Sequence, residues 1–175
     1  MEIILGILAL LMLSGSENYV FPLMDKRRYY LPKSLGRVGR NDIWLPTWNF
    51  GYERGRLHAG IDFLLLKPAN KVSELENHPA LAFASGKVEV SGYTAWGWIV
   101  LIRHSSTMQT RYLHLYRSDV KVGDYVNAGQ RIGIVGWEGS RPNNIQTSHL
   151  HFEVIINGKP TNPIPYLQKS LNIST

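Results

Sequence analysis

The sequence contains no cysteine, which excludes disulfide bridges, thiolate metal sites and a cysteine nucleophile. Any bound metal ion must therefore be held by histidine, aspartate or glutamate side chains. Charged residues make up only 18% of the chain against 44% hydrophobic residues, a composition that excludes a disordered protein. The length of 175 residues is enough for one domain with its own core.

Long apolar runs are also missing. The longest at the N-terminus, residues 3–13, has eleven residues, which is too short to cross a bilayer but fits the apolar region of a signal peptide. Ser14 and Ser16 follow as small residues suited to cleavage, whereas Glu2 stands where a basic residue is expected. We therefore predict a signal peptide or N-terminal anchor at residues 1–16, with residues 3–13 as the transient membrane anchor, and an exported protein that is periplasmic, wall-associated or secreted.

Dense basic clusters are scarce, although the formal net charge is +6. The lysines and arginines are spread thinly, and no repeat that combines basic with aromatic or glycine residues is present. We predict no nucleic-acid partner. The positive charge favours an anionic neighbour such as a cell-wall polymer. The sequence does not indicate an oligomeric state.

Long amphipathic helices are absent too, and residues 71–78 are the best short helical candidate. Sixteen glycines and nine prolines favour a strand-rich fold. Residues 157–159 read NGK, a strong hairpin signal. We predict a mostly β fold, a compact antiparallel sheet or sandwich with few short helices. The predicted strands are residues 61–66, 87–91, 98–103, 109–115, 131–136 and 149–156.

Three segments carry candidate chemistry. His149 and His151 are two residues apart on a predicted strand, so their side chains share a face about 7 Å apart. His58 and Asp62 flank a glycine-containing turn, and a carboxylate at the start of an apolar strand is costly without a cation. His114 lies in TRYLHLY, where strict alternation places Tyr112, His114 and Tyr116 on one face and the two leucines on the other.

Two histidines and one aspartate would make a three-ligand set, which with water is the arrangement of a catalytic zinc site. Zinc would lower the pKa of its water toward ~7 and polarise a carbonyl group. Two further histidines would remain to take the proton of that water and to stabilise an oxyanion. The residues alone leave open which histidines are ligands. A two-histidine, one-carboxylate iron oxygenase is the alternative, but the three residues between His58 and Asp62 and the two spare histidines disfavour it.

The chain resembles the lysostaphin-type, LytM-like zinc metallopeptidases, which are murein endopeptidases. The likeness lies in HAGID, RYLHL and SHLHFEV, in FGYERGR before them and in INGKPTNPIPYL at the end. It divides the chain into a lead-in at 17–49, a peptidase domain with a substrate groove at 50–167 and a C-terminal tail at 168–175. The segment at 67–78 is longer than the corresponding part of the family, where a short turn is found.

The resemblance implies that His58, Asp62 and His151 hold one Zn²⁺ per chain and that His114 and His149 are catalytic. It leaves open which of the latter two is the base. The expected activity is hydrolysis of peptide bonds in peptidoglycan stem peptides or cross-bridges. The alternative within the family is a non-catalytic member that binds cell wall or activates another wall hydrolase. His104 is interpreted as structural and His78 as a loop residue.

Overall fold

Strands dominate the part of the chain that the computed structural model describes, which comprises residues 19–23, 44–48, 50–53, 55–65, 78–137 and 148–170. One helix follows the last strand of this part. The elements are β1 (Trp44–Trp48), β2 (Gly51–Glu53), β3 (Arg56–His58), β4 (Ile61–Leu65), β5 (Pro79–Leu81), β6 (Gly86–Thr94), β7 (Gly97–Arg103), β8 (Met108–Ser118), β9 (Tyr125–Val126), β10 (Arg131–Val135), β11 (His149–Ile156), β12 (Lys159–Thr161) and α1 (Ile164–Ser170).

The strands form a ten-stranded antiparallel sheet and a separate β2–β3 ribbon. The main path of the large sheet runs β1-β4-β11-β8-β7-β6-β9, while β10 pairs with β8 and β5, and β12 pairs with β11. The predicted mostly β, antiparallel fold is confirmed. The hairpin signal is confirmed as well, since Asn157 and Gly158 adopt φ angles of 50° and 74° between β11 and β12.

The apolar pattern of the strands explains where the core lies. β11 sits between β4 and β8, and its interior residues are all buried, including the polar His151 and Glu153. Phe152 of β11 packs against Tyr112 of β8, with ring centroids 5.4 Å apart. From the lead-in, Phe21 is fully buried and meets Phe63 of β4 edge to face at 5.4 Å.

The predicted signal peptide at 1–16 lies outside the described residues. So do the proposed helix at 71–78 and the departing segment at 67–78, apart from His78 at its end. Among the described residues, no helix is long and apolar enough to cross a membrane.

Strict alternation in β8 is the prediction that the structure contradicts. Tyr112 and Leu115 are both in the core, at 0% and 1% exposure, and therefore share a face although they are three positions apart, a spacing that regular alternation would place on opposite faces. The cause is an irregularity at His114, whose φ is +63°, so that one residue is added to the strand. It falls where β8 changes partners, because Leu113 pairs with β11 and Leu115 pairs with β10. The added residue turns His114 away from the face that Tyr112 occupies.

Candidate metal centre and active site

β11 supplies the buried half of the site. Its alternation is unbroken, so His149, His151 and Glu153 lie on one face. In the pairing with β4, His151 stands directly opposite Asp62. His151 is 8% exposed and Asp62 is 7% exposed. Two regular antiparallel strands are therefore enough to bring these two side chains together.

The turn between β3 and β4 adds His58. Gly60 in this turn lies so close to β11 that a Cβ atom there would be 2.9 Å from Cγ of Glu153 and would also collide with the carbonyl of Phe152. A residue without a side chain is thus required for the turn to pack. With the turn in place, His58 Nε2 lies 3.2 Å from Asp62 Oδ2.

The three side chains converge on one point. His151 Nδ1 lies 2.6 Å from Asp62 Oδ1 and 3.2 Å from His58 Nε2. One potential ligand atom from each residue lies within 4.8 Å of the others. Two imidazole nitrogens at this separation, both directed at one carboxylate, form an arrangement that a shared cation would satisfy.

The carboxylates around His151 set the charges of this cluster. Burial alone would raise the pKa of Asp62, but hydrogen bonds to His151 and His58 outweigh it and hold that pKa far below its usual range. For His151, burial would lower the pKa, and hydrogen bonds to Asp62 and Glu153 instead raise it to about 9. Without metal, the cluster is thus a carboxylate that faces an imidazolium.

A second imidazole pair lies beside the first cluster. The His114 ring centroid is 4.6 Å from that of His149 and 5.9 Å from that of His151. His114 Nδ1 donates a hydrogen bond to the backbone carbonyl of Trp96 at 2.9 Å, since a carbonyl can only accept. Burial, aided by the charge of His149, lowers the pKa of His114 to about 4. A neutral His114 therefore presents Nε2 as a proton acceptor.

The comparison with known protein families decides the identity. Peptidase family M23 matches residues 56–163, which is more than half of the chain. The chain belongs to this family. The predicted resemblance to the lysostaphin-type murein endopeptidases is confirmed.

Relatives of known sequence or structure agree with this assignment. An uncharacterized metalloprotease of Haemophilus influenzae is 40% identical over 172 residues, which is 89% of this chain and 33% of the relative. Peptidoglycan DD-endopeptidase ShyC of Vibrio cholerae is 44% identical over 86 residues, 49% of this chain and 19% of the relative. The catalytic domain of the antimicrobial peptidase lysostaphin from Staphylococcus simulans is 29% identical, with a TM-score of 0.57 over 71% of this chain and 92% of that domain. The chain spans about a third or less of these two curated relatives.

The zinc implied by the M23 family fits the side chains present. Two imidazoles and one carboxylate give three nitrogen and oxygen ligands, the set that leaves a fourth position open on a catalytic zinc ion. The structure brings together the five residues named from the sequence, although their roles stay predictions. His104 instead bonds to the carbonyl of Ser85 and the hydroxyl of Thr110, and His78 precedes β5.

Sequence reasoning missed two kinds of contributor to the M23 site. Glu153 accepts a hydrogen bond from His151 Nε2 at 3.1 Å and is itself paired with Arg111. The signal for Glu153 was available, because an acid two residues after His151 in an apolar strand must share its face. The carbonyl of Trp96 is the other contributor, and no side-chain pattern could have revealed a backbone acceptor.

Proposed function

We propose that this M23 member is an exported zinc endopeptidase that hydrolyses peptide bonds in peptidoglycan stem peptides or cross-bridges. One observation carries the proposal: the His58–Asp62–His151 cluster lies directly beside the His114–His149 pair, with the ring centroids of His114 and His151 5.9 Å apart. A structural metal site has no need for two additional imidazoles. A relative named as a peptidoglycan endopeptidase supports this substrate class, and one named as an antimicrobial peptidase supports the peptidase activity.

In the proposed reaction, His58, Asp62 and His151 would hold the zinc ion. When bound, zinc supplies a water of lowered pKa and polarises the scissile carbonyl group. His114 takes the proton of the attacking water on Nε2, because its Nδ1 is already committed to the carbonyl of Trp96. His149, across from it at 4.6 Å between ring centroids, then steadies the developing oxyanion.

The surroundings of the pair suit an extended peptide. Trp96 is 54% exposed, and its ring centroid lies 6.3 Å from that of His114. It offers a flat apolar surface next to the reacting groups. The formal net charge of +6 would favour association with an anionic wall. Residues 50–167 would form the peptidase domain, and residues 1–16 would direct export.

A zymogram on purified sacculi, combined with metal analysis, tests the proposal. We expect about one zinc per chain and clearing that a chelator abolishes and added zinc restores. His149→Ala should retain zinc and lose the clearing. Clearing that is insensitive to chelator, or unchanged in His149→Ala, would show that the reaction does not use this site.

Mass spectrometry of the released muropeptides extends the test to the bond that is cut. Walls of known cross-bridge chemistry should give fragments with new peptide termini while the glycan strands stay intact. A zinc-loaded protein that binds sacculi and releases nothing would instead support the non-catalytic alternative.

A further inference from the structure

Glu153 is a buried carboxylate with a specific partner on each oxygen. It follows His151 by two residues on β11, shares its face and is 3% exposed. Its Oε1 lies 3.1 Å from His151 Nε2, which donates the hydrogen bond. This bond is made by the ring nitrogen that faces away from Asp62 and His58.

Arg111 holds the other oxygen. It stands directly opposite Glu153 in the pairing of β8 with β11. Its Nε and one terminal nitrogen both donate to Oε2, at 2.9 and 2.5 Å. A buried carboxylate is costly without such a partner, so Arg111 offsets the burial of Glu153 and fixes its rotamer. Because both arginine donors use Oε2, Oε1 is left to His151.

The turn of the HAGID motif is shaped around this carboxylate. A Cβ atom on Gly60 would lie 2.9 Å from Glu153 Cγ, so the glycine leaves the space that the glutamate fills. The same turn carries His58 and leads into Asp62. The position of Glu153 is therefore linked to the backbone that supplies the other two ligands.

We propose that Glu153, held by Arg111, is a positioning residue of the metal centre that commits His151 Nε2 to donation and so directs the Nδ1 lone pair at the ion. The inference rests on the proposed function, because it concerns the same zinc site. A carboxylate or carbonyl behind a ligating imidazole fixes its tautomer and ring orientation and raises its basicity, and removal of such a partner typically weakens metal binding by about 10–100-fold. Arg111 prevents Glu153 from turning toward solvent or toward the ion itself.

The test measures zinc affinity of the full chain at pH 7 by competition with a chromogenic chelator. Glu153→Gln and Glu153→Ala should weaken binding by about 10–100-fold. Arg111→Ala should weaken it by a smaller factor, and Arg111→Lys should recover part of the loss. The visible spectrum of the cobalt-substituted protein should change in the Glu153 variants, because the ligand set is reoriented.

A matched pair on the same sheet provides the control. Arg103 Nε donates to Glu89 Oε1 at 2.5 Å, and both side chains are about a third or more exposed. Glu89→Gln removes an arginine–glutamate pair that does not involve His151, so zinc affinity should stay within about twofold of the parent. The melting temperature of the zinc-free proteins separates a change of fold from a change of site.

Zinc affinity within twofold of the parent in both Glu153 variants would overturn the inference, whatever their melting temperatures. If Glu153→Ala does not fold, Arg111→Ala decides in the same way. A parent protein that binds zinc but leaves sacculi intact would refute the proposed function alone, while the affinity series would still decide the role of Glu153. A parent that binds no zinc would refute both.

Discussion

Two strands bring histidines to the site, and they do so by opposite means. β11 is regular, so His149, His151 and Glu153 share a face through simple alternation. β8 is irregular, and His114 reaches the site only because its backbone adopts φ +63° at the point where the strand changes partners. The half proposed for metal binding thus uses unstrained geometry, whereas the half proposed for proton transfer stores local strain, a recurrent feature of functional sites.

The two strands also give their histidines different charge states. His151 has a carboxylate at each ring nitrogen, and its pKa is raised to about 9 despite burial. His114 is buried against a backbone carbonyl and beside His149, and its pKa is lowered to about 4. Paired groups whose environments push their pKa values apart commonly divide the work of a site.

The largest effect is expected from Asp62→Asn, which removes the carboxylate that faces both His58 and His151. Since loss of a partner behind a ligand already costs about 10–100-fold, loss of a charged ligand should weaken zinc binding by more than about 100-fold. Hydrolysis of peptidoglycan should disappear with the metal. Chelator competition and muropeptide release measure the two quantities. Asp119→Asn is the control, because Asp119 pairs with Arg117 and Arg131 on the surface. Near-normal zinc affinity in Asp62→Asn would contradict the assigned ligand set.

His114→Ala removes the imidazole on β8 that is proposed to transfer protons. Zinc affinity should stay within about threefold of the parent, because His114 is not one of the three converging residues. The rate of peptide hydrolysis should fall by about 10²–10⁴-fold, the usual contribution of a positioned acid or base. The measurement is the initial rate of muropeptide release by the zinc-loaded protein. A loss of zinc affinity as large as that in Asp62→Asn would mean that His114 contributes to metal binding and not only to proton transfer.

Gly136→Ala tests the irregularity of β8 at His114. Gly136 donates its N–H to the carbonyl of His114 at 2.8 Å, and a Cβ there would lie 2.5 Å from the backbone nitrogen of Tyr116. These are main-chain atoms, which cannot move aside as a flexible side chain could. We expect a loss of about 1–3 kcal/mol in the free energy of unfolding by urea. Gly92→Ala in β6 is the control, since a Cβ there has no atom within 4 Å, and it should change stability by less than about 0.5 kcal/mol. Equal stability of the two variants would mean that β8 does not need this close contact.

The same contrast explains what the sequence could predict. Alternation and glycine-bearing turns locate β4, β7, β10 and β11 to within a residue or two of their ends. The placement of His151 opposite Asp62 depends on the register between β4 and β11. Local sequence does not determine that register, and only the combined HAGID, RYLHL and SHLHFEV motifs suggested that the two residues meet. The irregularity at His114 has no local signal, because it arises where β8 leaves β11 for β10 and because Gly136 admits it. Arg111 was missed for a related reason, since it lies 42 positions from Glu153 in sequence and only the strand pairing makes them neighbours.

The smallest effect, and the most direct readout of the contrast, is the pH dependence of stability in the zinc-free protein. The folded-state pKa of His151 is raised to about 9, so its contribution is fully present below pH 6.5 and is lost as pH rises toward 9. The folded-state pKa of His114 is lowered to about 4, so its contribution is present above pH 6.5 and is lost as pH falls toward 4. Each limb amounts to about 1 kcal/mol for the first pH unit away from 6.5.

Urea unfolding in the presence of a chelator between pH 5.5 and 7.5 should therefore give maximum stability near pH 6.5. His114→Gln should reduce the acidic limb to the part that His78 contributes, since burial lowers the pKa of His78 as well, and should leave the alkaline limb intact. Glu153→Gln should reduce the alkaline limb without removing it, because Asp62 contributes more than Glu153 to the raised pKa of His151. If one substitution changed both limbs equally, the two histidines would titrate as a single coupled unit. In that case β11 and β8 could not be said to set the charge states of His151 and His114 independently.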